Sequence, residues 1–305
     1  MDNFSFLLKS YLEDIEYVDR LLKSFKIYNK SNIRLFLVVP QKDLMHFAKF
    51  EDKSIILLKE ELLDKYLVKE NVNGVRPGYI NQEIIKLSFW ELGFCKNYLC
   101  LDSDGVFLRN FYYHDFMYND EIPYTILVED NELKIEPEYY KKHWISRDIQ
   151  LKKIIKSIGL QKTSHYLTCH GFAIFSYKVL NSLKENFMRS NNYSYLNLLE
   201  ISPYEFSWYN FWIQYDKTIE IHIREPLFKY LHHKNQHLDL ILKNITIDDI
   251  SRGYLGLVVN SNYSRFMGVV NYDEDKYKII ANYFEVGVIF NALLYKFKNK
   301  MKIKL

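Results

Sequence analysis

The chain has 305 residues, of which 48% are hydrophobic and 17% aromatic, enough for one large domain or two small ones with a sizeable core. Its formal net charge of +3 is too small to indicate nucleic-acid binding. Three cysteines without paired spacing argue against a disulfide framework and a zinc cluster, and favour a reducing compartment.

The N-terminal segment carries an early Asp2 and a short apolar run, without the basic start of a signal peptide. The sequence contains no run of about 18 apolar residues, the length that a membrane-spanning helix needs. We therefore expect a cytoplasmic protein without a membrane span.

Helices and strands alternate through the first hundred residues. The predicted elements are a strand at 3–9, a helix at 14–28, strands at 33–39 and 54–58 around a short helix at 42–50, a loop at 71–79, and a helix at 81–92 that Gly93 closes. The strand at 33–39 is apolar throughout, as in a parallel strand covered on both faces. This order predicts a doubly wound α/β sheet.

A fourth apolar strand, 97–101, ends in Asp102-Ser103-Asp104-Gly105. Because glycine lets the chain turn, both carboxylates can reach into one crevice at the carboxyl edge of the sheet, where open α/β folds bind ligands. Two close carboxylates repel each other unless a cation lies between them, and Mg²⁺ or Mn²⁺ prefers oxygen ligands. The alternative is an ordinary turn after a strand.

The rest of the chain is less regular. We predict strands at 106–109, 167–176, 219–223 and 255–259, helices at 146–158, 177–188, 247–253 and 277–297, and a loop or short helix at 224–237. Residues 110–166 form an insertion over the edge of the sheet, and long connections of this kind are more often functional than idle. A domain boundary is placed near residue 240.

Four segments carry a family resemblance, at 9–24, 78–87, 98–105 and 170–176. They resemble the GT-A class of nucleotide-sugar-dependent glycosyltransferases, and more narrowly bacterial glycosyltransferase-like proteins found with surface-polysaccharide genes. The resemblance implies a GT-A-like, Rossmann-type mixed sheet flanked by helices, in a catalytic domain at 1–240. Acceptor-side segments would lie at 110–166 and 189–216, and a C-terminal helical extension at 241–305.

The resemblance also implies a reaction. A sugar would pass from a nucleotide-sugar donor, with a UDP-sugar favoured, to a bacterial surface glycan such as a capsule or lipo-oligosaccharide, with inversion expected. Asp102 and Asp104 would hold Mn²⁺ or Mg²⁺ against the donor's diphosphate. The alternatives are a metal-dependent nucleotidyl- or phosphoryl-transferase, which lacks support because no usual glycine-rich phosphate loop is present, and a non-catalytic glycan-binding protein.

The donor is expected across the carboxyl end of the first strand. Tyr11 would stack on the base, and Asp14 would accept from the base or ribose unless it caps the following helix. Gln82 and Lys86 share a helix face, which the resemblance places beside the nucleotide, although a solvated polar face is the alternative. The full set of donor candidates is Ser10, Tyr11, Asp14, Arg76, Gln82, Lys86, Asp102 and Ser103.

On the acceptor side, an inverting reaction needs a general base, for which we choose Glu205, with Glu200 and Asp216 as alternatives. Tyr204 and Trp208 would stack on sugar rings, and His170 would lie close to a sugar. The alternative is that the aromatic residues are core, that Glu205 caps a helix and that His170 is packed.

Two late features complete the predictions. The resemblance implies a late histidine as a further metal ligand, His233 or alternatively His232, although a histidine-rich loop is more often merely exposed. The lysine-rich C-terminus would contact anionic lipids at the inner face of the inner membrane, unless it is a solubilising tail. Its lysines are Lys296, Lys298, Lys300, Lys302 and Lys304.

Overall fold

The computed structural model describes residues 1–129, 134, 137–163, 165–166, 172–232, 236, 239–240, 242–260 and 297. Several predictions lie outside these residues: those for His170, His233, the lysine-rich C-terminus, and the final helix except for its last residue. Within the described part of the chain, no helix combines the length and the apolar character needed to cross a membrane.

The chain forms ten described strands and eight described α-helices. The strands are β1 Asp2–Lys9, β2 Leu35–Val39, β3 Ile55–Lys59, β4 Cys95–Leu101, β5 Gly105–Phe107, β6 Thr125–Ile126, β7 Ile174–Ser176, β8 Ile223–Arg224, β9 Phe228–Leu231 and β10 Gly256–Val259. The helices are α1 Ile15–Tyr28, α2 Leu44–Phe47, α3 Pro77–Ser88, α4 Pro137–Ile158, α5 Tyr177–Ser182, α6 Tyr195–Ile201, α7 Glu205–Asp216 and α8 Ile247–Gly253. A π-helical turn, Leu183–Met188, continues α5.

The central sheet has the strand order β3-β2-β1-β4-β7. The first four strands are parallel, with Phe6 of β1 opposite Leu35 of β2 and Leu99 of β4, whereas β7 runs antiparallel to β4. The carboxyl ends of β1 to β4 therefore meet at one edge. This confirms the predicted α/β fold with a parallel-dominated mixed sheet flanked by helices.

Both faces of the central sheet are covered by apolar layers. Successive residues of a strand point to opposite faces, so Phe6 packs with α1 through Phe25, whereas Leu7 belongs to the layer that contains Ile84 of α3. Burial on both faces explains why β2 is apolar at all five positions. The helices and strands that position the carboxyl edge are thus held rigidly.

A smaller sheet, β5-β10-β9, lies beyond the Asp102–Asp104 turn. Leu257 of β10 pairs antiparallel with Val106 and parallel with Lys229. Residues on both sides of position 240 therefore share one sheet, so the domain boundary predicted there is wrong. An exposed linker would have been needed for a boundary, and the structure instead packs β10 against the strand that follows the turn.

We expect Gly256→Ala to destabilise the protein by about 1–3 kcal/mol, because the site is already filled. A Cβ at this position would lie 2.1 Å from Cε1 of Phe228 and 2.4 Å from the carbonyl oxygen of Val106. Urea unfolding measures the loss. Gly253→Ala is the matched control, since its Cβ would meet no atom within 4 Å, and an equal loss in both variants would contradict the packing argument.

Three local predictions are wrong. The helix predicted at 146–158 starts earlier, at Pro137, and the strand predicted at 219–223 is only the short β8. The segment predicted as a loop or short helix at 224–237 contains β9. The aromatic stretch at 189–214, for which no element was predicted, forms α6 and most of α7. Ten of the twelve residues of α7 are buried, so no polar face marks it as a helix in the sequence.

Candidate active site

Asp102, Ser103 and Asp104 form a turn at the carboxyl edge of the central sheet, here called the Asp-x-Asp turn. The amide of Gly105 donates to the carbonyl oxygen of Asp102 at 3.2 Å, and the amide of Val259 donates to the carbonyl oxygen of Asp104 at 3.3 Å. Both aspartates are partly exposed as residues, although Oδ1 of Asp104 is itself buried. Strands β4, β5 and β10 thus flank the turn that carries the two carboxylates.

Asp14 lies beside this turn. The hydroxyl of Ser103 donates to Oδ2 of Asp14 at 3.0 Å. Asp14 immediately precedes α1, but its side chain makes no capping hydrogen bond to that helix. The structure therefore brings two of the predicted donor residues, Asp14 and Ser103, next to the Asp-x-Asp turn, and gives no support to the capping alternative.

A cavity of about 330 Å³ opens at the carboxyl ends of β1, β2 and β3. Tyr11, Arg76 and Gln82 line it, as the predicted donor site requires, together with Lys42, Asp43 and Glu13. Nε2 of Gln82 also lies 3.5 Å from Oδ1 of Asp102. Gln82 therefore connects the cavity to the Asp-x-Asp turn.

The floor of this cavity contains a residue that the sequence analysis missed. Lys9, the last residue of β1, is buried and lines the cavity, and its ammonium lies 2.9 Å from Oε2 of Glu60. A lysine that ends an otherwise apolar buried strand was the available signal. The neighbouring Ser10 is 1% exposed and is not a lining residue, so its predicted contact with the donor is not supported.

Lys86 is buried at the centre of a group of three acidic side chains, here called the Lys86 cluster. Its ammonium lies 2.9 Å from Oε1 of Glu205, 3.3 Å from Oδ1 of Asp102 and 3.7 Å from Oε2 of Glu83. The side chains of Lys86, Glu83 and Glu205 are at most 7% exposed, whereas that of Asp102 is 33% exposed. Lys86, which was predicted to neutralise a diphosphate, is thus enclosed by protein. It does not lie on a solvated polar face either, which was the alternative.

Burial and neighbouring charges shift the pKa values of the groups in the Lys86 cluster. Burial by itself would lower the pKa of Lys86, but the carboxylates of Asp102, Glu205 and Glu83 raise it well above its ordinary value. Burial and the Glu205 carboxylate raise the pKa of Glu83 well above its ordinary value, despite Lys86. Burial acts to raise the pKa of Glu205, but Lys86 and a hydrogen bond from Glu83 lower it. Lys86 therefore favours the charged form of Glu205, whereas burial disfavours the charged form of Glu83.

The predicted acceptor-side residues separate into two groups. Trp208 is fully buried and its indole nitrogen donates to the carbonyl oxygens of Leu198 and Ser202, both at 3.0 Å. It is a core residue and cannot stack on a sugar, so that prediction is wrong. Tyr204 is partly exposed, and the guanidinium of Arg147 lies 4.5 Å from its ring centre.

The two alternative bases are bound by residues outside the Asp-x-Asp turn and the Lys86 cluster. Asp216 ends α7, eleven residues and about 16 Å along the helix from Glu205, and accepts hydrogen bonds from Ser182 and Thr218. Glu200 is exposed and accepts from Asn197 at 3.0 Å.

Tyr230, which the sequence analysis missed, lies near the turn together with the predicted His232. Burial and the negative charges of Asp102 and Asp104 raise the pKa of Tyr230 well above its ordinary value. The ring of His232 stacks on Tyr230 with centroids 5.2 Å apart. Tyr230 lies on β9 and His232 directly follows that strand, and their i, i+2 spacing was the available signal.

Two histidines in this region are neutral. Burial lowers the pKa of His143 to about 3, with Arg147 adding to the effect, and the guanidinium Nε of Arg147 donates to the His143 ring at 3.0 Å. Burial lowers the pKa of His232 to about 3 as well, with His143 and Arg147 nearby. A neutral imidazole keeps the lone pair that metal ligation needs, so His232 keeps the chemistry predicted for it.

The carboxylate oxygens at the turn suit a hard divalent cation whose coordination shell is completed by a substrate. Among the described residues, no three His, Cys, Asp or Glu side chains are grouped to hold a metal alone. Mg²⁺ commonly uses one or two carboxylates together with substrate phosphates. The Asp-x-Asp turn supplies two carboxylates, and the ammonium of Lys86, 3.3 Å from Asp102, is shared with Glu205.

A family model described as a family of unknown function, DUF6492, matches residues 5–252 of the chain. No curated protein matches it. A solved structure that resembles it is the apo crystal structure of mouse xyloside xylosyltransferase 1, with a TM-score of 0.49 and 10% sequence identity. That match covers 85% of this chain and 98% of the mouse chain.

Proposed function

Because the chain belongs to DUF6492, a family of unknown function, we propose a function from the site itself: a metal-dependent glycosyltransferase that uses a nucleotide-sugar donor. The observation that carries this proposal is the continuity between the cavity and the Asp-x-Asp turn through Gln82. A nucleoside and a diphosphate-bound cation need two such adjoining sites at the carboxyl edge of a parallel sheet.

The cavity has the size and the polar groups for a nucleoside diphosphate. Its volume of about 330 Å³ lies within the range of small-molecule pockets. Tyr11 supplies a ring for the base, and Arg76, which forms no ion pair within the described part of the chain, supplies a guanidinium for a phosphate. Asp14, which accepts a hydrogen bond from Ser103 beside the turn, would accept from a ribose or sugar hydroxyl.

A cation bound by Asp102 and Asp104 would stabilise the negative charge that develops on the departing nucleoside diphosphate. The protein's own residues bind and orient the donor: Gln82 lies at the junction of cavity and turn, and Tyr204 offers its partly exposed ring on the acceptor side. The family resemblance supports a UDP-sugar as donor, a bacterial surface glycan as acceptor, and a location at the inner face of the inner membrane.

A thermal-shift panel of UDP, GDP, CMP, nucleoside triphosphates and glycans, each with and without Mn²⁺, tests the proposal. We expect UDP with Mn²⁺ to raise the melting temperature by several degrees, since a ligand at 100 times its Kd adds about 2.7 kcal/mol of stability. UDP without Mn²⁺ should give a smaller rise.

Three other outcomes would contradict the proposal. Stabilisation by glycans but by no nucleotide would favour a non-catalytic glycan-binding protein. Stabilisation by nucleoside triphosphates alone would favour a nucleotidyl- or phosphoryl-transferase. Equal shifts with and without Mn²⁺ would remove the role of the cation.

A further inference from the structure

Lys86 is shared between two carboxylates that come from different parts of the chain. Its ammonium is 2.9 Å from Glu205, at the start of α7, and 3.3 Å from Asp102, after β4. Its main chain is fixed too, because the hydroxyl of Tyr98 donates to the carbonyl oxygen of Lys86 at 2.6 Å. The ammonium therefore stays between the two acids.

Glu205 is badly placed to be a general base. A base must come within hydrogen-bonding distance of the hydroxyl that it deprotonates. The Glu205 side chain is only 7% exposed, and its carboxylate already binds Lys86 and a hydrogen bond from Glu83. Glu205 contacts Lys86, and Lys86 in turn contacts Asp102, which would bind the cation.

We propose, on the basis of the proposed function, that Glu205 is a positioning residue that holds the ammonium of Lys86 and so leaves Asp102 open to the divalent cation. Lys86 and the cation compete for the same carboxylate. Glu205 lies 0.4 Å closer to the ammonium than Asp102 does, from 2.9 and 3.3 Å. Without the charge of Glu205, Asp102 is the next nearest carboxylate to the ammonium, at 3.3 Å against 3.7 Å for Glu83.

The experiment measures the Mn²⁺ concentration that gives half-maximal retention of labelled UDP in equilibrium dialysis. For Glu205→Gln we expect this concentration to rise about tenfold, the size of effect that one unit charge has in a buried cluster. Adding Lys86→Met to that variant should return it toward the wild-type value, since the competing ammonium is gone. A purely structural role, or a role as base, gives no such rescue.

Glu91→Gln is the control. Glu91 is a partly buried acid paired with Lys184 at 2.6 Å, outside the Lys86 cluster, and should have no effect. Circular dichroism verifies that each variant folds, and if the double variant does not, the contrast between Glu205→Gln and Glu91→Gln decides.

The outcomes separate this inference from the proposed function. Wild-type protein that retains no UDP in the presence of Mn²⁺ overturns both. Normal wild-type retention that Glu205→Gln leaves unchanged overturns only the role of Glu205, as do equal losses in Glu205→Gln and Glu91→Gln, or a folded double variant without rescue.

Discussion

We expect replacement of Asp102 or Asp104 with asparagine to lower the rate of the proposed sugar transfer by about a hundredfold or more. The amide keeps the shape of the side chain but removes one of the two charges that would hold the cation. Loss of one electrostatic stabiliser of developing charge typically costs 10²- to 10³-fold in rate. The measurement is release of nucleoside diphosphate from the donor that the thermal-shift panel identifies.

Asp64→Asn is the control for this pair. Asp64 is 55% exposed and its nearest cationic partner, Lys69, is 3.8 Å away, so its variant should keep full activity. If the Asp102 and Asp104 variants were as active as the Asp64 variant, the cation would have no role in the reaction, and the glycan-binding alternative would gain support.

Lys86→Met lowers the free energy of unfolding by about 3–5 kcal/mol, the usual cost of removing one partner from a buried ion pair. The side chain is 4% exposed, and its loss leaves the ionised Glu205 without its cation. Urea unfolding monitored by tryptophan fluorescence measures the change, because Trp208 and Trp212 are buried in α7.

Lys152→Met is the matched control. Lys152 pairs with Asp148 at 2.7 Å on the surface of α4 and is 68% exposed. Exposed pairs of this kind contribute at most about 1 kcal/mol. A loss for Lys86→Met no larger than for Lys152→Met would mean that the Lys86 cluster is open to water, and would remove the basis for the role of Glu205.

The parallel core of the fold could be predicted from the sequence because its signals are local. Strand β2 is an uninterrupted apolar run, α1 has apolar residues at helical spacing, and Gly93 adopts the left-handed conformation that ends a helix. The position of Asp102 after β4 follows from the same local pattern. These features depend little on what the rest of the chain does.

The tertiary surroundings of the site could not be predicted in this way. Lys86 and Gln82 do share a helix face, but nothing in that spacing shows that Glu205, 119 residues later, encloses the lysine. Trp208 and Tyr204 are both aromatic residues near an acid, and only packing separates the buried one from the exposed one. Likewise, β9 is a four-residue strand whose partner, β10, comes 25 residues after its end.

A crystal structure of the protein with Mn²⁺ and UDP tests the central claim most directly. We expect an anomalous manganese peak at coordination distance, about 2.0–2.6 Å, from carboxylate oxygens of Asp102 or Asp104 and from the diphosphate, with the nucleoside in the cavity beside Tyr11. Manganese bound elsewhere, or UDP in the cavity with its diphosphate turned away from both carboxylates, would contradict the account.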